Sequence, residues 1–351
     1  MRSPPPCRIT MLVALLLIAS ASSSAAAQTE LRYSDHEPLG NMRTSVINTF
    51  FQDVEKRSNG RLKIERHWGG DISSGYDALS KLSTGSQADL AVIVPEYSAK
   101  ALPLHQVFKG FLTGPSGANQ VNLLRQIYAR IPEFNAELRK NDVVPVLIST
   151  GYPVGFFSSR QMEGLQALKG HRWRTASFWH RDFLTNYGAV PVTMPWGPEV
   201  ATALGDGRLD GLMVNIDSAV DLDVPKTAPH SLVSKRLWLG HVYIVGMNRA
   251  AWDRLSEADR RAFKEAADIA YRTMGATMDR RFDEMVVDLR RQGKTSRLLT
   301  TAEVDSFADA SDVIEVQDTW ARAQEAQGVS GARSVLKRVR TFWRRAISRE
   351  H

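Results

Sequence analysis

The residue types that usually carry chemistry are present in this 351-residue chain but are not assembled into a reactive pattern. Its eight histidines are scattered. None falls in the His-Glu-x-x-His or close Cys/His spacing that seats zinc. No Gly-x-Ser-x-Gly puts a serine nucleophile on a strand-to-helix elbow. Gly293-Lys294-Thr295 looks like the end of a phosphate-binding loop, but the glycine needed five residues earlier is Asp288, and the segment follows a helical stretch. Asp217, Asp221 and Asp223 could exchange protons if they lined a cleft; on a loop between strands such a run is usually a solvated acidic face. The pattern argues against an enzyme.

Those residues must be positioned by a chain with an export signature. Arg2 and Arg8 precede the apolar run Met11 to Ala19, which gives way to Ala25-Ala26-Ala27. Residues 1–27 therefore read as a secretory signal peptide cut before Gln28. The one cysteine, Cys7, lies inside it, so the mature chain is expected to hold no disulfide and to depend on a large core. No later stretch approaches the roughly 18 apolar residues of a membrane helix. The net charge of +7 is modest and spread out, which gives no reason to invoke nucleic acid. Only the last twenty or so residues are strongly basic, with Val335, Leu336, Val339, Phe342, Trp343 and Ile347 at helical spacing among the cations. That stripe could meet an anionic lipid surface. Packing on the body of the protein is the expected outcome.

The elements alternate. Leu31 to Ser34 reads as a strand, followed by a helix from Met42 with Val46, Phe50 and Val54 on one face, stopped by Ser58-Asn59-Gly60. A strand over 61–67, a helix around Ala78, Leu79 and Leu82 ending at Gly85, and a buried strand over 88–94 follow. A helix near 121–128 and strands near 143–148, Trp173, 190–194, 212–215 and 242–247 continue a β-α-β order that implies α/β layers. From Ser256 to about Arg291 there is no proline and only Gly275 interrupts, so one helix of roughly 50 Å is expected, long enough to brace two domains. The Gly151 to Gly155 stretch is the expected crossing between lobes.

Three segments carry a family resemblance: Leu168-Lys169-Gly170-His171-Arg172-Trp173-Arg174, then Gly188-Ala189-Val190-Pro191-Val192-Thr193-Met194, then Glu199-Val200-Ala201-Thr202-Ala203-Leu204 through Gly207 to Asp210-Gly211. In this order they resemble the solute-binding proteins of TRAP transporters, the tripartite ATP-independent periplasmic systems. Glu55 to Arg61, Thr84 to Asp89, and Met247-Asn248 with Trp252 and Leu255 agree, so the resemblance spans about residues 30 to 290. It implies an α/β, two-lobed periplasmic-binding-protein-like fold with a hinge, a central ligand cleft and a long bracing helix. The expected lobes are 28–151 plus 241–280, and 152–240 plus 281–351, with the helix over about 256–291 spanning both. The resemblance further implies a periplasmic, monomeric protein without cofactors that captures a small organic acid and hands it to membrane permease subunits.

By the same resemblance Arg174 grips the ligand carboxylate. A guanidinium suits that task because its planar fork meets both oxygens at once. Trp196 occupies an aromatic position that packs against ligand, and Ser177, His36 and Asn215 or Asp217 are expected at the cleft, with Tyr243 and Trp179 as further candidates. Arg172 is expected to be structural. The chain departs from relatives at Val154, where some place a second arginine, at Met213, and in an extra residue within Trp196-Gly197-Pro198. With Phe156, Phe157, Phe178 and Trp179 nearby, these departures suggest a ligand with one carboxylate and an apolar or aromatic body. A binding protein for an ATP-driven importer or sensor kinase, and a secreted α/β hydrolase, stay open as alternatives.

Overall fold

The computed structural model describes residue 1 and residues 28–175, 177–194 and 196–350. The predicted signal peptide, Met1 apart, lies outside them. The chain opens with β1 (Thr29–Ser34), α1 (Met42–Arg57), β2 (Leu62–His67), α2 (Ala78–Thr84) and β3 (Leu90–Ile93). Asn41 caps α1 by accepting from the Thr44 N–H, and the helix ends where Asn59 and Gly60 turn to positive φ, as the Ser-Asn-Gly run predicts. Short 3-10 turns follow at Pro95–Ser98 and Leu104–Gly110. Next come α3 (Gly117–Arg130), α4 (Pro132–Lys140, with proline in its first turn), β4 (Val143–Thr150) and β5 (Val154–Ser158).

The middle of the chain forms β6 (Arg172–Thr175), α5 (Phe178–Tyr187), β7 (Val190–Thr193), α6 (Pro198–Gly205), β8 (Gly211–Asn215), α7 (Ile216–Asp221), α8 (Val224–Thr227) and β9 (His230–Ser234). It closes with β10 (Val242–Asn248), α9 (Arg249–Arg254), α10 (Glu257–Arg291), β11 (Thr295–Leu298), α11 (Thr301–Ala310), α12 (Val313–Ala326) and α13 (Ala332–Ile347).

The strands make two sheets, ordered β2-β1-β3-β10-β4 and β11-β9-β5-β8-β6-β7. The chain passes from the first to the second across residues 151–153, returns between β9 and β10, and crosses again through α10 into β11. Every residue of β3, β5 and β8 is buried, as expected of strands covered on both faces. This mixed α/β, two-sheet architecture agrees with the expected fold class.

Helix α10 runs unbroken for 35 residues, capped by Ser256 accepting from the Asp259 N–H. It packs on α1, α3 and β4 of the first sheet's surroundings and on α7 and β11 of the second's. Gly275 does not break it. A Cβ there would collide with the backbone of Ala118 and Gly117, so the glycine is what lets the start of α3 cross the helix at close range.

The basic C-terminal stripe packs inward. Val335, Leu336, Val339 and Trp343 are buried, and Trp343 stacks on Phe111 at 3.9 Å and Trp238 at 4.3 Å. Although α13 lies in the segment assigned to the second lobe, it packs on α3 and the Leu104–Gly110 turn, which precede the first crossing. Glu350 seals this end by accepting from the Ser116 N–H at the start of α3 at 2.7 Å. Among the described residues no helix is long and apolar enough to cross a membrane.

Candidate functional site

Strand β6 carries two arginines with different fates. Arg172, at its exposed start, is committed to Asp210, donating from its backbone nitrogen, Nε and Nη2 at 2.9, 3.1 and 3.2 Å. Arg174, two residues further in, is only 4% exposed. Its Nε donates to the Met194 carbonyl at 2.9 Å, and its guanidinium lies 5.1 Å from the centroid of the Trp196 ring. Its Nη2 is buried without a hydrogen-bond partner, and no carboxylate among the described residues pairs with it. Burial pulls it down to about 10, a cost that Tyr97, Glu96 and Tyr76 partly offset. Those three residues lie on the segments around β3, so the arginine reaches from the second sheet toward elements of the first. A guanidinium held there without a counter-ion is expensive. An arriving anion would remove that cost.

A polar array surrounds it. Lys109, in the Leu104–Gly110 turn, forms an ion pair with Glu96 and contacts His241 Nδ1 at 3.0 Å. Burial lowers its pKa. His180, 5% exposed on α5, has Nδ1 3.0 Å from Ser177 Oγ and a buried Nε2 without a partner. Burial first, and then the Lys109 and Arg174 charges, hold it well below the usual histidine range, so it is neutral. His241 is neutral for the same reasons. Tyr76 and Tyr97 stack at 4.4 Å and form an aromatic wall.

A second cluster follows β1. Arg43, on α1, is clamped by Asp35 at 2.7 and 2.9 Å and by Glu37 at 2.7 Å, and lies 4.7 Å over the Tyr243 ring. Although burial opposes it, the Arg43 charge holds both carboxylates below their usual range. His36 sits between them, 3.6 Å from Asp35 and 3.7 Å from Glu37, with its ring 6.4 Å from that of Tyr97. Burial and Arg43 lower its pKa. Across from this cluster Asp217, in the first turn of α7, has a buried Oδ1 without a partner. Burial, with Glu37 and Asp221 adding to it, raises its carboxyl to about 7 against the pull of the Ser218 N–H.

Five of the residues singled out in the sequence thus meet at one seam between the sheets: Arg174, Trp196, His36, Tyr243 and Asp217. The side chains of three others are engaged within the protein. Ser177 is the N-cap of α5, accepting from the His180 N–H, so its hydroxyl is already engaged. The Asn215 amide is spent on the Tyr152 carbonyl, where it braces the crossing from β4 to β5. Trp179 is core, enclosed by Phe178, Phe183, Trp320 and the backbone of Gly110. Phe156 and Phe157 are likewise fully buried inside the second sheet's packing, and Phe178 stacks on Trp179. None of these rings forms the aromatic wall, which comes from Tyr76, Tyr97 and Trp196. Sequence reasoning missed Arg43, Glu37, Tyr97, Glu96, Lys109 and His180. Only the first two carried a signal, by their nearness to His36.

Two sheets joined by crossing segments, with an unpaired buried cation at their seam, define a two-lobed periplasmic-binding-protein-type receptor. The chain belongs to the bacterial extracellular solute-binding protein family 7 (DctP), the TRAP solute-binding family, whose sequence model matches residues 34–318. A solute-binding protein of Verminephrobacter eiseniae (strain EF01-2) is 28% identical over 290 residues, covering 78% of this chain and 80% of that one. A crystal structure of a TRAP periplasmic solute-binding protein from Desulfovibrio salexigens, an open complex, superposes with TM-score 0.76 at 20% identity over 90% of this chain and 96% of that one. A TRAP solute-binding protein from Rhodoferax ferrireducens T118 in complex with copurified benzoate does so with TM-score 0.76 at 15% identity, over 92% and 100%. Members of this family are binding proteins and not enzymes, in agreement with the missing catalytic pattern.

Proposed function

We propose that this protein captures a small organic monocarboxylate in the periplasm by closing two lobes around it and delivers it to a membrane permease. The observation that carries the reading is Arg174: nearly inaccessible, without a carboxylate partner among the described residues, and with a free Nη2 at the seam. A ligand carboxylate would fill that vacancy with a charge-assisted, two-pronged pair. It would also touch both sheets' elements, so binding would favour the closed arrangement.

Trp196, Tyr76 and Tyr97 supply flat apolar surface beside the cation, which suits an aromatic or branched body. His36, Tyr243 and Asp217 complete the lining, and Ser177, Asn215 and Trp179 act as its support. The lobes 28–151 plus 241–280 and 152–240 plus 281–351 would move about the crossings, with residues 1–27 removed on export and the mature protein a monomer. Similar structures support a carboxylate: besides benzoate, one carries bound orotic acid, another pyroglutamate and another β-D-glucuronate.

A thermal-shift screen of the mature protein against organic acids, followed by calorimetry, tests this, because a ligand of the native state raises its melting temperature. An aromatic or branched monocarboxylate should bind most tightly. Tighter binding of a C4-dicarboxylate would contradict the monocarboxylate reading, and tighter binding of a sugar acid would contradict the apolar or aromatic body.

A further inference from the structure

The seam is electrically lopsided. At one end stand the cations Arg174 and Lys109 with a single carboxylate, Glu96, and two neutral imidazoles. At the other end Asp35 and Glu37 share one cation, Arg43, and Asp217 lies near Glu37. The two ends are near neighbours. His241 contacts Lys109 at the first, Tyr243 lies beneath Arg43 at the second, and these two rings stack 5.9 Å apart. Tyr97 feels the charge of both Arg174 and Glu37. One small molecule can therefore touch both ends.

The unused hydrogen-bonding capacity is also divided between the ends. Asp35 is saturated by the Tyr33 hydroxyl, the Glu37 N–H and both terminal nitrogens of Arg43. Glu37 accepts from Asn41 at Oε2 and forms an ion pair with Arg43 through the same oxygen, while His36 Nε2 stands 3.7 Å from its Oε1, beyond hydrogen-bond range. Asp217 Oδ1 is buried without a partner. At the opposite end the unused groups are Arg174 Nη2, on a side chain 4% exposed, and His180 Nε2, on one 5% exposed. Buried polar atoms are rarely left without partners. The free Arg174 donor at the cationic end and the free Asp217 acceptor at the acidic end, where Arg43 Nε and His36 Nδ1 are also buried without partners, call for a ligand that brings an acceptor to the first and a donor to the second.

We infer that the ligand is a nitrogen-bearing carboxylate of the amino-acid type, whose carboxylate lies on Arg174 while its ammonium donates to Asp217 and Glu37. The inference rests on the carboxylate reading above and narrows it. An ammonium fits better than a hydroxyl, because a zwitterion matches both the positive and the negative end and forms charge-assisted bonds at each. Asp217 follows β8 of the second sheet and Glu37 follows β1 of the first, so the nitrogen would be held from both sides. Closure would then depend on it.

The test is calorimetry on the ligand-stripped mature protein with matched acids: proline against cyclopentanecarboxylate, 4-aminobutanoate against butanoate, and 4-(aminomethyl)benzoate against 4-methylbenzoate. In at least one pair the nitrogen-bearing member should bind about tenfold tighter or more. In Asp217→Asn, and in Glu37→Gln, that ratio should fall toward one. Equal or tighter binding of the nitrogen-free acids in every pair overturns the inference. So does an unaltered ratio in both variants, or no binding by any of the six acids. If instead Arg174→Ala leaves both members of a binding pair untouched, the carboxylate reading itself fails, and the two failures are told apart.

Discussion

The Arg174 guanidinium lies over the face of the Trp196 ring, 5.1 Å from its centroid, and its Nε donates to the Met194 carbonyl. The ring and the carbonyl orient the fork without neutralising it. Arg174→Ala should therefore weaken ligand binding by about tenfold or more while leaving the ligand-free fold intact, because removing an unpaired buried charge also removes its desolvation cost. Arg174→Lys should not restore affinity, since an ammonium cannot present two parallel N–H groups. Calorimetry and circular dichroism check both; full affinity in the alanine variant would remove Arg174 from the site.

Asp217 gives the seam a pH dependence. Its folded pKa of about 7 lies above the ordinary aspartate value, raised by burial and by the neighbouring carboxylates Glu37 and Asp221, with Tyr152 and Tyr243 also facing it. The native state thus holds this proton more tightly than the unfolded chain does. Its contribution to stability is fully present below about pH 4 and is lost as pH rises to about 7. Asp217→Asn should remove that loss. The ligand-free variant should gain on the order of 4 kcal/mol relative to wild type between pH 4 and pH 8, in urea titrations at each pH. A difference independent of pH would contradict the shifted carboxyl.

Gly275 shows where a sequence rule and the packing point in opposite directions. Helix propensity alone says that alanine at this position should stabilise α10 by about 1 kcal/mol. The added methyl would instead fall on the backbone of Ala118, which cannot turn aside as a side chain could. Gly275→Ala should therefore cost about 3 kcal/mol, read as a lower urea midpoint. A stabilised variant would mean that α3 and α10 do not cross so closely.

The same contrast separates what the sequence revealed from what it hid. The strand and helix order, the 35-residue helix and the stop at Asn59-Gly60 were legible, because periodicity and turn residues are local signals. The arginine came from a motif. The fates of Ser177 and Asn215 were not legible, since a capping hydroxyl and a bracing amide look like binding groups until the backbone atoms they serve are known. Lys109 and His180 were hidden for the opposite reason. They lie 71 positions apart in the chain and are brought together only when the Leu104–Gly110 turn meets α5, a contact with no trace in local spacing.

The basic C-terminal helix offers the last test. Trp343 is 3% exposed, stacked between Phe111 and Trp238, and its indole N–H donates to the Thr113 carbonyl at 2.7 Å. Phe111 precedes the first crossing between the sheets, and Trp238 lies on the return crossing, so this one ring joins α13 to both. Trp343→Ala should cost about 3–5 kcal/mol through the lost contacts and the cavity left behind. Trp343→Phe should cost less, since the stack survives and only the Thr113 carbonyl loses its donor. Thermal unfolding of the two variants checks the order. If α13 were a detachable arm for a lipid surface, neither change would move the melting temperature, because the helix would add little to the folded body it leaves.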